Sequence, residues 1–222
     1  MYVIFSPFFL FTYDRCMSYH RYEPPHSYHA SQQQPRKKLY AAGVLPIAFR
    51  TDQQPLFLVG EDIRGIGIAD FGGKNDSKLD RNDPEATASR EWYEESLGQS
   101  ISINEMMSRF KDDSCIRVYG RTQNGYVYYM NIVEIPWDPH MPRNFDRVVQ
   151  FLRLKNISKL YVEKKNVAWM TFDELLACRK RQVFESTIMD NINVIRCIGS
   201  CHRDSWPRLC LQYNTQTAEE SM

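Results

Sequence analysis

The sequence has no apolar run long enough to cross a bilayer, no surplus of one charge, and no cysteine spacing that matches a familiar metal or disulfide framework. A membrane-spanning helix needs about 20 consecutive apolar residues. The longest apolar start, MYVIFSPFFLFTY, falls short of that and is interrupted by Pro7. It also lacks the basic beginning and small-residue cleavage site of a secretory signal. It reads as an accessory strand, or as residues ahead of a translation start at Met17. Lysine and arginine number 28 against 27 aspartates and glutamates, a net charge of +1. Such a balance excludes a general attraction to nucleic acid or to an anionic membrane. Six cysteines lie at irregular intervals, and a chain of this length needs no staples, so they read as reduced thiols of an intracellular, cytoplasmic protein. The run CIGSCHRDSWPRLC gathers Cys197, Cys201, His202 and Cys210, but in no spacing typical of structural zinc.

What is present suits one folded domain of 222 residues in all, with 43% hydrophobic and 13% aromatic residues to build a core. Residues 1–38 end in a polar, proline- and glutamine-rich stretch and read as a flexible segment; the domain is expected over 39–212, and 213–222 as a frayed tail. Leu39–Phe49 and Pro55–Asp62 are expected strands, with TDQQ turning between them. SCIRVYGRT and GYVYYMNIVEI predict an antiparallel pair joined near Asn124–Gly125, and NVAWMTF a further short strand. NFDRVVQFLRLKN has helical spacing, FDELLACRKR starts another helix, and helical structure is expected on to about Gln212. The mixture points to an α/β or α+β sandwich.

The stretch ASREWYEESLG carries the chemistry. Asp83-Pro84-Glu85 is a helix start, and the helix is expected to run to Leu97 and stop at Gly98. Glu91, Glu94 and Glu95 then stand at i, i+3 and i+4 and share a face, where like charges repel. A divalent cation relieves that repulsion; magnesium and manganese favour oxygen ligands. A solvated acidic face, with Arg90 pairing to Glu94, is the other reading. The glycine-rich RGIGIADFGGK lacks the lysine-serine ending of a P-loop and the spacing of a dinucleotide fingerprint, and reads as a turn leading into the helix.

GGKNDSKLDRNDPEATASREWYEES resembles a Nudix box. Arg90-Glu91-Trp92-Tyr93-Glu94-Glu95 fits the second half of that pattern, and Gly72-Gly73-Lys74 fits the entry. The loop is about three residues longer than the pattern; Asn82 stands where the first glutamate belongs, with Asp80 or Asp83 as substitutes; and Leu97 replaces a glycine that comes one place later at Gly98. AAGVLPIAF and VAWMTFDELL also match common parts of the family. The resemblance implies an α/β/α sandwich with a mixed central sheet, and a hydrolase that uses Mg2+ or Mn2+ to cleave a pyrophosphate bond in a nucleoside diphosphate linked to another moiety. It implies Glu94 and Glu95 as metal ligands, Glu91 as ligand or base, and the Gly72 carbonyl completing the shell. Arg90 would orient Glu91 or Glu94, and Lys74 would contact phosphate. Glu163, six residues before Trp169, is the candidate for an extra ligand or base, with Glu134 as its rival. Glutamine at 91 or 95 is expected to spare the fold and cut turnover.

The substrate is less defined. Tyr126, Tyr128, Tyr129 and Phe151 read as base-stacking or as core residues. Trp137–Lys159, with Arg143, Arg147, Arg153, Lys155 and Lys159, reads as a lid gripping a polyphosphate, or as a packed helix with a solvated basic side. The divergent box is similar to those of large DNA viruses, which would place the protein in a host cytoplasm. Capped RNA, diphosphoinositol polyphosphates and a non-catalytic binding module are the alternatives to a small nucleotide.

Overall fold

The computed structural model describes residues 39–50, 54–63, 67–111, 114–157 and 162–219. The segment 1–38, Met17 and Lys159 lie outside the described residues. At the centre is β1 (Tyr40–Phe49), buried along its whole length. Such a strand must be covered on both faces, and its near-continuous apolar run reflects that. Leu45, Ile47 and Phe49 join one core cluster, and Ala42 and Val44 the other, following the period-2 alternation of a strand.

β1 pairs antiparallel with β2 (Pro55–Asp62) near one end and with β4 (Phe71–Lys74) near the other, and parallel with β6 (Val127–Glu134) throughout. β2 also carries the two-residue β3 (Ile68–Ala69) and β7 (Lys164–Met170), both antiparallel. β5 (Cys115–Arg121) closes the far edge as a hairpin with β6, turning at Gly125, whose φ is +76°. The sheet is therefore mixed and seven-stranded.

One face is covered by α1 (Pro84–Glu95), α2 (Ile103–Lys111) and α3 (Met141–Leu154), through Trp92, Met106, Phe110, Phe145 and Val149. The other is covered by α4 (Phe172–Ala177), α5 (Gln182–Asp190), α6 (Ile192–Gly199) and α7 (Trp206–Glu219), through Leu175, Phe184, Ile188, Ile195, Ile198 and Trp206. The result is a mixed α+β fold with helices on both faces. None of the described helices is long and apolar enough to cross a membrane.

Three local readings change. Gly72-Gly73-Lys74 is not a turn: it lies in β4, paired residue for residue with Gly43, Ala42 and Ala41. Helix α2 was not expected, although Ser102 and Glu105 cap it reciprocally. The final helix also continues to Glu219, past the expected end at 212.

Trp92 holds α1 in place. Its ring is fully buried and edge-on to Phe71 at 5.0 Å, and its indole N–H donates to the Ile101 carbonyl at 3.1 Å. Trp92→Ala is expected to cost about 3–5 kcal/mol, whereas Thr171→Ala, which removes the capping box of α4, costs about 1 kcal/mol. Urea unfolding of the two variants measures both.

Candidate active site

Helix α1 starts where its sequence dictates: Asp83 accepts from the Glu85 N–H at 2.9 Å, and Pro84 occupies the first turn. With Trp92 anchored inward, Glu91 and Glu95 come against β4. This approach requires Gly73, because a Cβ there would collide with the Glu91 carboxylate. The Gly72 N–H donates to Glu95 Oε2 at 2.8 Å.

Arg90 organises the acidic turn. Its Nε donates to Asp80 Oδ1 at 2.8 Å and its Nη2 to Asp80 Oδ2 at 3.0 Å. The same guanidinium reaches Glu91 Oε1 at 3.0 Å, Glu94 Oε2 at 2.8 Å and the Lys74 carbonyl at 3.2 Å. Asp80 is buried and also accepts from the Asp76 N–H and the Thr87 hydroxyl, both at 2.8 Å. Burial raises the Asp80 carboxyl, but these donors, Arg90 foremost, bring it below its usual range. The anion for Arg90 thus comes from Asp80. Asp83 caps the helix, and Asn82 adopts φ +61°, a left-handed conformation that Asn tolerates better than most residues.

The three glutamates do not share one environment. Glu94 is 55% exposed and tied to Arg90, whereas Glu91 and Glu95 are turned inward. Burial pushes Glu91 up to about 7 against the pull of Arg90, and Glu94 and Glu163 push in the same direction. Glu95 is deeper still. Its Oε1 lies 3.3 Å from the ammonium of Lys164, which is fully buried and also donates to Asp62 Oδ1 at 2.7 Å. Burial lowers Lys164, but Glu95 and Asp62 outweigh it and hold the ammonium charged. Periodicity could not reveal Lys164: Lys164 and Lys165 look alike in sequence, and only the structure distinguishes the buried one.

Among the described residues no group of three or more His, Cys, Asp or Glu side chains is gathered closely enough to hold a metal ion. Of the three glutamates, Glu91 fits a divalent cation best: it is buried against Gly73, and its partner Arg90 is shared with Asp80 and Glu94. Glu95 fits less well, because both its oxygens already face nitrogen donors.

The other expected residues are spread more widely. Lys74 and Gly72 line a cleft of about 350 Å3 together with Asp70, Gln123, Asn124 and Arg181. Glu134 stands at the opposite end of β1, beside Ile47, and pairs with Arg203 at 3.2 Å. Tyr128 is buried and donates to Asp70 at 2.6 Å, so it is no stacking platform. Tyr129 packs edge-on against Tyr40 and Tyr119, and Phe151 is exposed beneath Lys155. Helix α3 packs on β7 and presents Arg143, Arg147, Arg153 and Lys155 to water, as a packed helix with a basic outer side.

No family model and no curated protein matches the sequence. Among solved structures, the chain is similar to RenU, a Nudix hydrolase from M. Smegmatis, at 14% identity over 72% of this chain and 88% of that one, with a TM-score of 0.42. It is also similar to an Ap4A hydrolase of C. elegans, at 13% identity over 81% and 98%, TM-score 0.38. A third is the C-terminal domain of mouse MUTYH in complex with human PCNA, at 8% identity over 71% and 89%, TM-score 0.43.

The raised Glu91 carboxyl has a consequence for stability. Because its folded value lies above the ordinary 4.5, its contribution is fully present below pH 4.5 and is lost as pH rises through about 7. In a chelating buffer, stability is expected to fall over this window by a few kcal/mol, as an order of magnitude. Burial also pushes Glu95 up to about 8 and Asp70 up to about 6, so Glu91→Gln should make the fall shallower without removing it, measured by urea unfolding at stepped pH.

Proposed function

We propose that this protein is a Nudix-type hydrolase that cleaves a pyrophosphate bond, with Mg2+ or Mn2+ as cofactor. The observation that carries the reading is Glu91: a buried carboxylate held by Arg90, which is itself pinned by Asp80, against Gly73, whose strand also lines a cleft with Lys74 and Arg181. Repulsion on such a helix turn is tolerated where a positively charged ligand offsets it.

Glu91 would hold the ion, with Glu94, Glu163 and the Gly72 carbonyl as candidate further donors. The bound ion supplies neutralisation of phosphate charge and a lowered pKa for attacking water. The residues of the chain do the rest. Arg90 fixes the Glu91 carboxylate, and β4 fixes the distance between that carboxylate and the cleft. Lys74 and Arg181, both lining the cleft, attract and orient the phosphates. Water attacks phosphorus and gives up a proton to solvent, the bridging P–O bond breaks, and the departing phosphate oxygen takes the electron pair. Gln123, Asn124 and Gln182 offer amides to the group attached to the diphosphate, which favours a nucleoside diphosphate derivative.

A binding module without catalysis is the second reading, favoured by the solvent-facing Glu94 and the occupied oxygens of Glu95. Incubation with manganese and a panel of nucleoside diphosphate derivatives, capped RNA and diphosphoinositol phosphates separates the two. Cleavage of one compound is expected, abolished by EDTA and lowered at least 100-fold, as an order of magnitude, by Glu91→Gln. Metal-dependent binding with no cleavage of any compound supports the module instead.

A further inference from the structure

We infer that Lys164 is a resident cation that takes, at Glu95, the place a metal ion would otherwise fill, so that the site binds a single divalent ion, on the side of Glu91. This rests on the reading of the site as a metal-dependent hydrolase.

Three features show that the position of Lys164 is built. The first is register. β7 follows β2 in regular order from Phe57↔Met170 to Glu61↔Asn166, and then slips so that Asp62 faces Lys164 and Lys165 is left over. A bulge of this kind re-aims the side chains beyond it. Here it sends Lys164 inward, with no exposed surface, while Lys165 stands 55% exposed beside Glu61. The second is space. The Lys164 stem crosses β2 at Gly60, where a Cβ would lie 2.8 Å from its Cδ, so only glycine leaves the channel open. The third is chemistry. The ammonium ends among carboxylates from separate elements: 2.7 Å from Asp62 Oδ1 in β2, 3.3 Å from Glu95 Oε1 in α1, and 5.9 Å from the centre of the Phe71 ring.

The acidic helix turn is therefore neutralised in two different ways. On the deep side, Lys164 compensates Glu95 and Asp62, with Arg181 a further 3.6 Å from Asp62 Oδ2. Glu95 Oε2 is bound by the Gly72 N–H, so a cation arriving there meets like charge and a carboxylate already in use. On the shallow side, Glu91 has only a share of Arg90, which also binds Asp80 and Glu94. That half still has charge to offer. An ammonium neutralises as an ion does but leaves no coordination position open to water, so Lys164 is a positioning residue for Glu95 rather than a catalytic one.

Counting bound Mn2+ on the full chain, by electron paramagnetic resonance of the free ion, tests this without substrate. The unmodified protein is expected to bind one ion. Two ions would overturn the inference and leave the hydrolase reading standing; no ion at all would overturn both. In Lys164→Met, a second ion is expected to bind at Glu95 and Asp62. The melting temperature of this variant, lowered in EDTA, should recover with Mn2+ by more than the unmodified protein gains. A single ion in a folded Lys164→Met would overturn the proposal. Glu95→Gln keeps one acceptor oxygen, for the Gly72 N–H or for Lys164, removes the carboxylate charge, and decides the matter even where Lys164→Met fails to fold. One ion, with affinity within threefold of the unmodified protein, is the expected result, and loss of that ion would overturn the proposal.

Discussion

The hold of Asp80 on Arg90 is the constraint from which the rest of the site follows. A buried carboxylate and a largely buried guanidinium meet through two hydrogen bonds, a geometry in which such pairs are strong and directional. Removing one partner of a buried pair leaves the other uncompensated, which is why such contacts tolerate little change. With the guanidinium fixed from below, its remaining N–H groups can face only Glu91, Glu94 and the end of β4. One contact therefore sets the direction of two glutamates and the seating of α1 on the sheet.

Much of the fold was legible from residue order. β1, β2, the β5–β6 hairpin and β7 were marked by apolar runs and turn residues, and the start of α1 by Asp83-Pro84. The parallel pairing of β1 with β6 was not legible, because it joins residues far apart in the chain and no local pattern records it. β4 escaped because two glycines and a lysine read as a turn, although the strand needs those glycines to admit carboxylates from the helix above it. Helix α2 was signalled by Ser102 and Glu105 and by Met106 and Phe110 one turn apart, in a stretch short enough to pass for loop.

The site was legible in part. Helical spacing correctly placed Glu91 and Glu95 near each other, but spacing assigns a face and not a depth. Arg90, at i+4 from Glu94, draws that residue outward, and the three acids divide. The loop between β4 and α1 departs from the familiar pattern at Asn82, yet the backbone turns through Arg81 and Asn82 with positive φ and brings Asp80 beneath Arg90. Lys164 depends on a register slip, which shows only once both strands are paired. The two sides of the acidic turn thus have different origins: one was written in the helix sequence, the other arose from strand pairing.

The central claim is that this helix turn gathers a divalent ion beside Glu91. Diffraction from crystals soaked in manganese, recorded at the manganese absorption edge, tests it most directly. A single anomalous peak beside the Glu91 carboxylate is the predicted result. No peak near that turn, with Glu91 still bound only to Arg90, would contradict the account.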